Sequence, residues 1–180
     1  RLLEQNQGER ITTALLAREC QVSEAALYRH FPSKASMYEA LIKFAEESIC
    51  GLINRILEEE KSTVQRCGKT LYLVLSFAEK NPGITRILLG DVLIGEKERL
   101  REQVENFFKR VETQLRQMLR EVAIRQDVAQ NETAESSANL LLNWLEGRMH
   151  QYVRSNFASL PLTGWESQWR QLARGMFLEN

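Results

Sequence analysis

The chain has 180 residues, 43% of them hydrophobic and 27% charged, with 24 basic side chains against 24 acidic ones and a formal net charge of zero. That length suits one domain, or a small head on a larger body, and a neutral balance argues against non-specific coating of nucleic acid while leaving room for a local reading surface. The longest apolar run, Leu71 to Ala78, is too short to span a bilayer, no signal-peptide pattern is visible, and Cys20, Cys50 and Cys67, which lack metal-ligand spacing, read as reduced thiols of a cytosolic protein.

In chain order, residues 1–5 read as the last turn of a helix that begins before Arg1. Thr12 and Thr13 are good N-cap residues for a short helix over 14–19. Cys20-Gln21-Val22 breaks it, and Ser23 caps a second short helix over 24–30. Two short helices joined by so tight a turn form a helix-turn-helix, whose second helix enters the DNA major groove. The residue sizes suit that task. Ala25 and Ala26 let the helix approach base edges closely, while Tyr28, Arg29 and His30 are long enough to reach phosphates or bases. Pro32 stops the helix, and Ser33-Lys34 starts the next, where backbone N–H groups and a lysine can grip a phosphate.

That next helix, over 33–59, carries Met37, Leu41, Phe44, Ala45, Ile49, Leu52, Ile53 and Ile56 as its apolar stripe. A further helix spans 62–81, where Lys80-Asn81-Pro82-Gly83 reads as its C-terminus: a cation near the negative end, then a turn. Val104, Phe107, Phe108, Val111, Leu115, Met118, Leu119 and Val122 mark a helix over 98–125. Ala138, Leu141, Leu142, Leu145, Met149, Tyr152 and Val153 mark one over 131–157, and Trp165, Trp169, Leu172 and Met176 mark a last one over 165–177. No window alternates with period 2. The expected class is all-α with about eight helices. A head over 1–45 and a body over 46–180 share the long helix, because so small a head is marginal alone.

The tract ITTALLARECQVSEAALYRHFPSKASMYEALI resembles the N-terminal signature of TetR-family repressors, most specifically from Leu27 to Lys34. The resemblance implies a TetR-like, all-α homodimer paired through the helices 131–157 and 165–177. Gly147 suits close approach there. The family's turn normally carries glycine where Gln21 stands here; a left-handed Gln21 is strained by roughly 1 kcal/mol. Three separate stretches, SEAALYRHFPSK, FAEKNPGITRILLGDVLI and VETQLRQMLRE, are similar to the nucleoid occlusion factors of that family. This closer resemblance implies a nucleoid-associated division inhibitor that binds palindromic chromosomal DNA and engages the C-terminal tail of the division protein FtsZ. On this resemblance Thr12, Thr13, Tyr28 and Lys34 meet phosphates, and Ser23, Glu24, Ala25 and His30 belong to the groove face. The FtsZ tail would lie between the helices 34–59 and 62–81, on Phe44, Leu73, Lys80 and Asn81. One arginine of the family's groove is Leu52 here, so the tail's charge falls to Lys80 and Arg55.

The residues alone support plainer readings too. Phe44 and Leu73 lie on apolar stripes and read as core. The only histidines are His30, in the head, and His150, read as having no acidic or cysteine neighbour at ligand spacing. Gly90-Asp91-Val92-Leu93-Ile94-Gly95 matches neither phosphate-binding glycine pattern. No catalytic constellation, cofactor motif or metal set is expected. The rival function is a ligand-responsive TetR-type repressor, with Tyr72, Phe107 and Trp144 lining a pocket.

Overall fold

A computed structural model describes residues 2–5, 11–93, 95–96, 98–125 and 131–177, with the backbone alone over 122–125 and 131–133. The described residues form nine helices and no strand: α1 (Leu2–Gln5), α2 (Thr13–Glu19), α3 (Glu24–His30), α4 (Lys34–Glu59), α5 (Thr63–Lys80), α6 (Pro82–Leu88), α7 (Glu98–Arg125), α8 (Asn131–Arg154) and α9 (Trp165–Phe177). Among them no helix is long and apolar enough to cross a membrane.

Serine and threonine set four of the starts. Thr12, Ser23 and Ser62 each accept the backbone N–H three residues on, which satisfies one donor that the first helical turn leaves unpaired. At α4 the cap is reciprocal: Ser36 N–H donates to Ser33 Oγ and Ser33 N–H to Ser36 Oγ, both at 3.1 Å. Gln21 has φ of 55°, so this turn keeps the left-handed conformation although glycine is absent. It follows the Cys20 cap and closes α2 with two bonds, Gln21 N–H to Arg18 O and Val22 N–H to Ala17 O.

Three sequence expectations need correction. On α4 the buried ridge is Ala35, Tyr38, Ile42, Ala45, Ile49 and Ile53, so the predicted stripe is rotated: Phe44 and Leu52 are exposed. The chain does not simply turn after Asn81, because Pro82 opens the seven-residue α6. Proline suits the first helical position, where its missing N–H costs nothing. Finally, α8 stops at Arg154, and Asn156 and Phe157 take φ of 63° and 65° rather than continuing the helix.

The apolar residues of α4, α5, α7 and α8 form one core, in which Phe107, Leu115, Leu141 and Leu145 are wholly buried. The most extensive helix pair is α7 with α8. Two arginines pin the turns. Arg66 donates to Glu60 O at 2.6 Å, Leu57 O at 2.9 Å and the Glu121 carboxylate at 2.7 Å, which ties the end of α4 to α7. Arg148 donates to Leu160, Pro161 and Thr163 carbonyls and holds the α8–α9 connection. α9 lies close on α5: a Cβ added at Gly68 would stand 2.7 Å from the Trp169 ring.

α1 packs on α6, with Arg86 Nη1 donating to Leu3 O at 2.7 Å. The connection between α6 and α7, residues 89–97, reaches the start of α4 through Glu96 and Lys34.

Candidate nucleic-acid interface and partner groove

The capped ends of α2 and α3 bring Thr12, Thr13, Ser23, Glu24, Ala25 and Tyr28 to one part of the head. Tyr28, 44% exposed, donates its hydroxyl to Thr13 Oγ1 at 3.1 Å, and Thr13 Oγ1 donates to Glu24 at 3.2 Å. This short chain locks the start of α2 to the start and the middle of α3. Thr12 and Ser23 are exposed but already accept a helix amide each, so their first role is structural. Ala25 is exposed, and Arg29 and His30 are exposed with no hydrogen-bond or ion-pair partner among the described residues. They are the long polar groups of α3 available for a new contact.

Lys34, at the first position of α4, is placed differently. Its ammonium lies 2.9 Å from Glu96 Oε1 and 5.2 Å from the centroid of the Tyr38 ring, with about a fifth of the side chain exposed. Partial burial works against the charge, yet Glu96 and Tyr38 outweigh it, and its pKa is raised. The helix start offers fewer free donors than the sequence suggested, since the Ser33–Ser36 box already uses two of the backbone N–H groups.

The second cluster lies between α4 and α5. Phe44 is 52% exposed, and its ring stands 6.2 Å from Phe77, tilted by 43°. Leu73 is half-buried one turn before Phe77, Leu52 is exposed, and Lys80 is exposed at the end of α5. Asn81 caps α5: its side-chain amide donates to Phe77 O at 2.9 Å and its backbone N–H to the same oxygen at 3.0 Å. Phe44, Leu73, Lys80 and Asn81 thus gather around Phe77, which the sequence reading missed. Its only signal was its spacing of four from Leu73. The plain reading of Phe44 as core fails, because the ridge of α4 turns away from it.

Several other expectations change. Tyr72 and Trp144 both lie against Trp165, at 5.5 and 6.0 Å between centroids, whereas Phe107 is fully buried edge-on to Phe108. Tyr72 is exposed, so the three aromatics proposed for a ligand pocket are split between an exposed cluster and the core. His150 does have an acidic neighbour: Glu146 lies one turn before it, and burial pushes that carboxyl up against the opposing effect of His150. No group of three metal-ligating side chains occurs among the described residues. Cys20 is exposed, Cys50 half-buried and Cys67 buried, all unpaired, and burial pushes the Cys67 thiol up to about 12.

The model for the N-terminal region of the tetR family of bacterial regulatory proteins matches residues 1–41, and a SlmA-like model described as a tetracyclin repressor-like C-terminal domain matches residues 61–176. The chain is 55% identical over 169 residues to the nucleoid occlusion factor SlmA of Shewanella baltica, covering 94% of this chain and 86% of that one. It is 54% identical over the same shares to the protein of that name from Shewanella putrefaciens. Among solved structures, the regulator PfmR of Thermus thermophilus superposes with a TM-score of 0.76 at 19% identity, over 99% of this chain and 92% of that one. FadR of Bacillus subtilis, in complex with stearoyl-CoA, superposes with 0.74 at 14% identity, over 97% and 93%. At such identities the two structures bear on the fold alone.

Proposed function

The chain belongs to the TetR family, in its SlmA-like branch, and from that membership we propose that it is a nucleoid occlusion factor whose DNA-bound dimer holds the C-terminal tail of FtsZ and blocks division-ring assembly over the nucleoid. The head binds palindromic duplex through α3, with Tyr28, Arg29, Lys34 and the Thr12–Thr13 end of α2 on phosphates. Ser23, Glu24, Ala25 and His30 face the groove. A dimer presents two such helices, and half-sites about 34–36 Å apart follow from its symmetry.

The observation that carries the partner reading is Phe44. A phenylalanine half in water on a long helix, leaning on Phe77, offers an apolar surface to a partner. Leu52 extends it along α4, Lys80 supplies positive charge at the other end, and Arg55 adds to it from α4. An apolar peptide segment with acidic flanks fits such a groove.

The dimer reading rests on α8 and α9. No residue of α9 is buried, Trp165 and Trp169 stack at 5.8 Å on its half-buried face, and Leu140 on α8 is 54% exposed. A Cβ at Gly147 meets nothing within the protomer, so a second copy can approach there.

The test is a titration of a labelled FtsZ C-terminal tail peptide with the protein, with and without palindromic duplex. Saturable binding that weakens at least tenfold in Phe44→Ala, with helicity and duplex binding kept, is the expected result. Absence of binding in both states would reject the division-inhibitor reading and favour the ligand-responsive repressor.

A further inference from the structure

The residues 89–97 join α6 to α7 and carry two acidic side chains, Asp91 and Glu96, and both are spent on the head's supports. Asp91 pairs with Arg86, the same guanidinium that donates to the Leu3 carbonyl of α1. Glu96 pairs with Lys34. The backbone aims both carboxylates. Gly90 and Gly95, each immediately before one of them, have φ of 75° and 79°, a left-handed conformation that a side chain would strain. Asp91 N–H bonds Arg86 O, Glu96 N–H bonds Leu93 O, and Leu93 is fully buried. These backbone bonds do not involve the Glu96 carboxylate.

Among the described candidate phosphate contacts, Lys34 is the one cation paired with a carboxylate. A phosphate reaching its ammonium meets Glu96 within hydrogen-bonding range of the same nitrogen, so two anions compete for one cation. Either Glu96 gives Lys34 up or the phosphate approaches against its charge. Both reduce affinity for DNA.

We propose that Glu96 is an internal DNA mimic: a body carboxylate that occupies the phosphate subsite at Lys34 and is displaced when duplex binds. This rests on the reading of Lys34 as a phosphate contact. It makes Glu96 the group of the body that senses an occupied head. By linkage, whatever holds Glu96 on Lys34 weakens DNA binding, and DNA weakens that hold by the same factor.

The experiment measures duplex affinity of the full chain across a salt series for the parent, Glu96→Gln, Lys34→Ala and the double variant, by fluorescence anisotropy. Gln keeps the size and removes the charge. Glu96→Gln should bind about fivefold tighter, the scale of one partly exposed ion pair. Its salt slope should steepen by up to about one, because Glu96 no longer takes up a cation when Lys34 leaves it. In the Lys34→Ala background the same change should have almost no effect. An equal gain in both backgrounds would mean that Glu96 acts only as a distant repulsive charge. Weaker binding by Glu96→Gln would mean that it positions Lys34 instead. Either result overturns the proposal. If Lys34→Ala leaves affinity and salt slope untouched, it is the DNA-contact reading of Lys34 that has failed. Thermal unfolding of each variant separates these results from loss of fold.

Discussion

At the scale of single residues, the head is built from side chains that do two things. Tyr28 both presents a hydroxyl to solvent and ties α3 to Thr13, so removing only that oxygen probes both. Tyr28→Phe should weaken duplex binding about fivefold, the scale of one hydrogen bond, with the far-ultraviolet dichroism unchanged. Gln21 is the opposite case, a residue whose backbone works against its side chain. Its φ of 55° is one that glycine adopts freely. Gln21→Gly should stabilise the fold by up to about 1 kcal/mol, read as a higher denaturation midpoint. A lower midpoint would show that the extra freedom of glycine in the unfolded chain outweighs the relief of strain.

At the scale of elements, the joints are charged and the faces apolar. The α4–α5 joint hangs on Arg66, which fills two carbonyls and a carboxylate. Arg66→Ala leaves those acceptors without their donor and should cost about 1.5–3 kcal/mol in urea unfolding. Beside it, Glu60 accepts from Lys69 at 2.9 Å and from the Ser62 and Lys61 amides, and its carboxyl is held down to about 2. A depressed carboxyl contributes stability above its unfolded pKa, and that contribution fades as pH falls from about 4.5 toward 2. The helices themselves were legible, because caps such as Thr12, Ser23 and Ser33 and stripes such as that of α7 follow from local chemistry and helical period. The short α6 was not: Pro82-Gly83 is a turn signal in isolation, and only packing against α1, α4, α5 and α8 makes a seven-residue helix worthwhile.

At the scale of the whole molecule, a helix-turn-helix is joined to a helical body through α4, which leaves Phe44 exposed against Phe77 of α5 and pairs Lys34 at its start with Glu96. Burial separates the three thiols. Cys20, exposed, should react at once with a thiol reagent, and Cys67, wholly buried with its thiol pushed up to about 12, only as the protein unfolds. Two slow equivalents in place of one would show that Cys50 is closed off as well. The all-helical class, the capped helix-turn-helix and the family were readable in the linear order of residues, since each depends on neighbours within a few positions. Which side of α4 faces the core was not. Two apolar stripes overlap there, and only the packing of α5 and α7 chose Ile42, Ile49 and Ile53 for burial and left Phe44 beside Phe77 in water. The pairing of Lys34 with Glu96 was equally hidden. It spans 62 positions, and no local pattern marks a carboxylate that folding alone brings to a lysine.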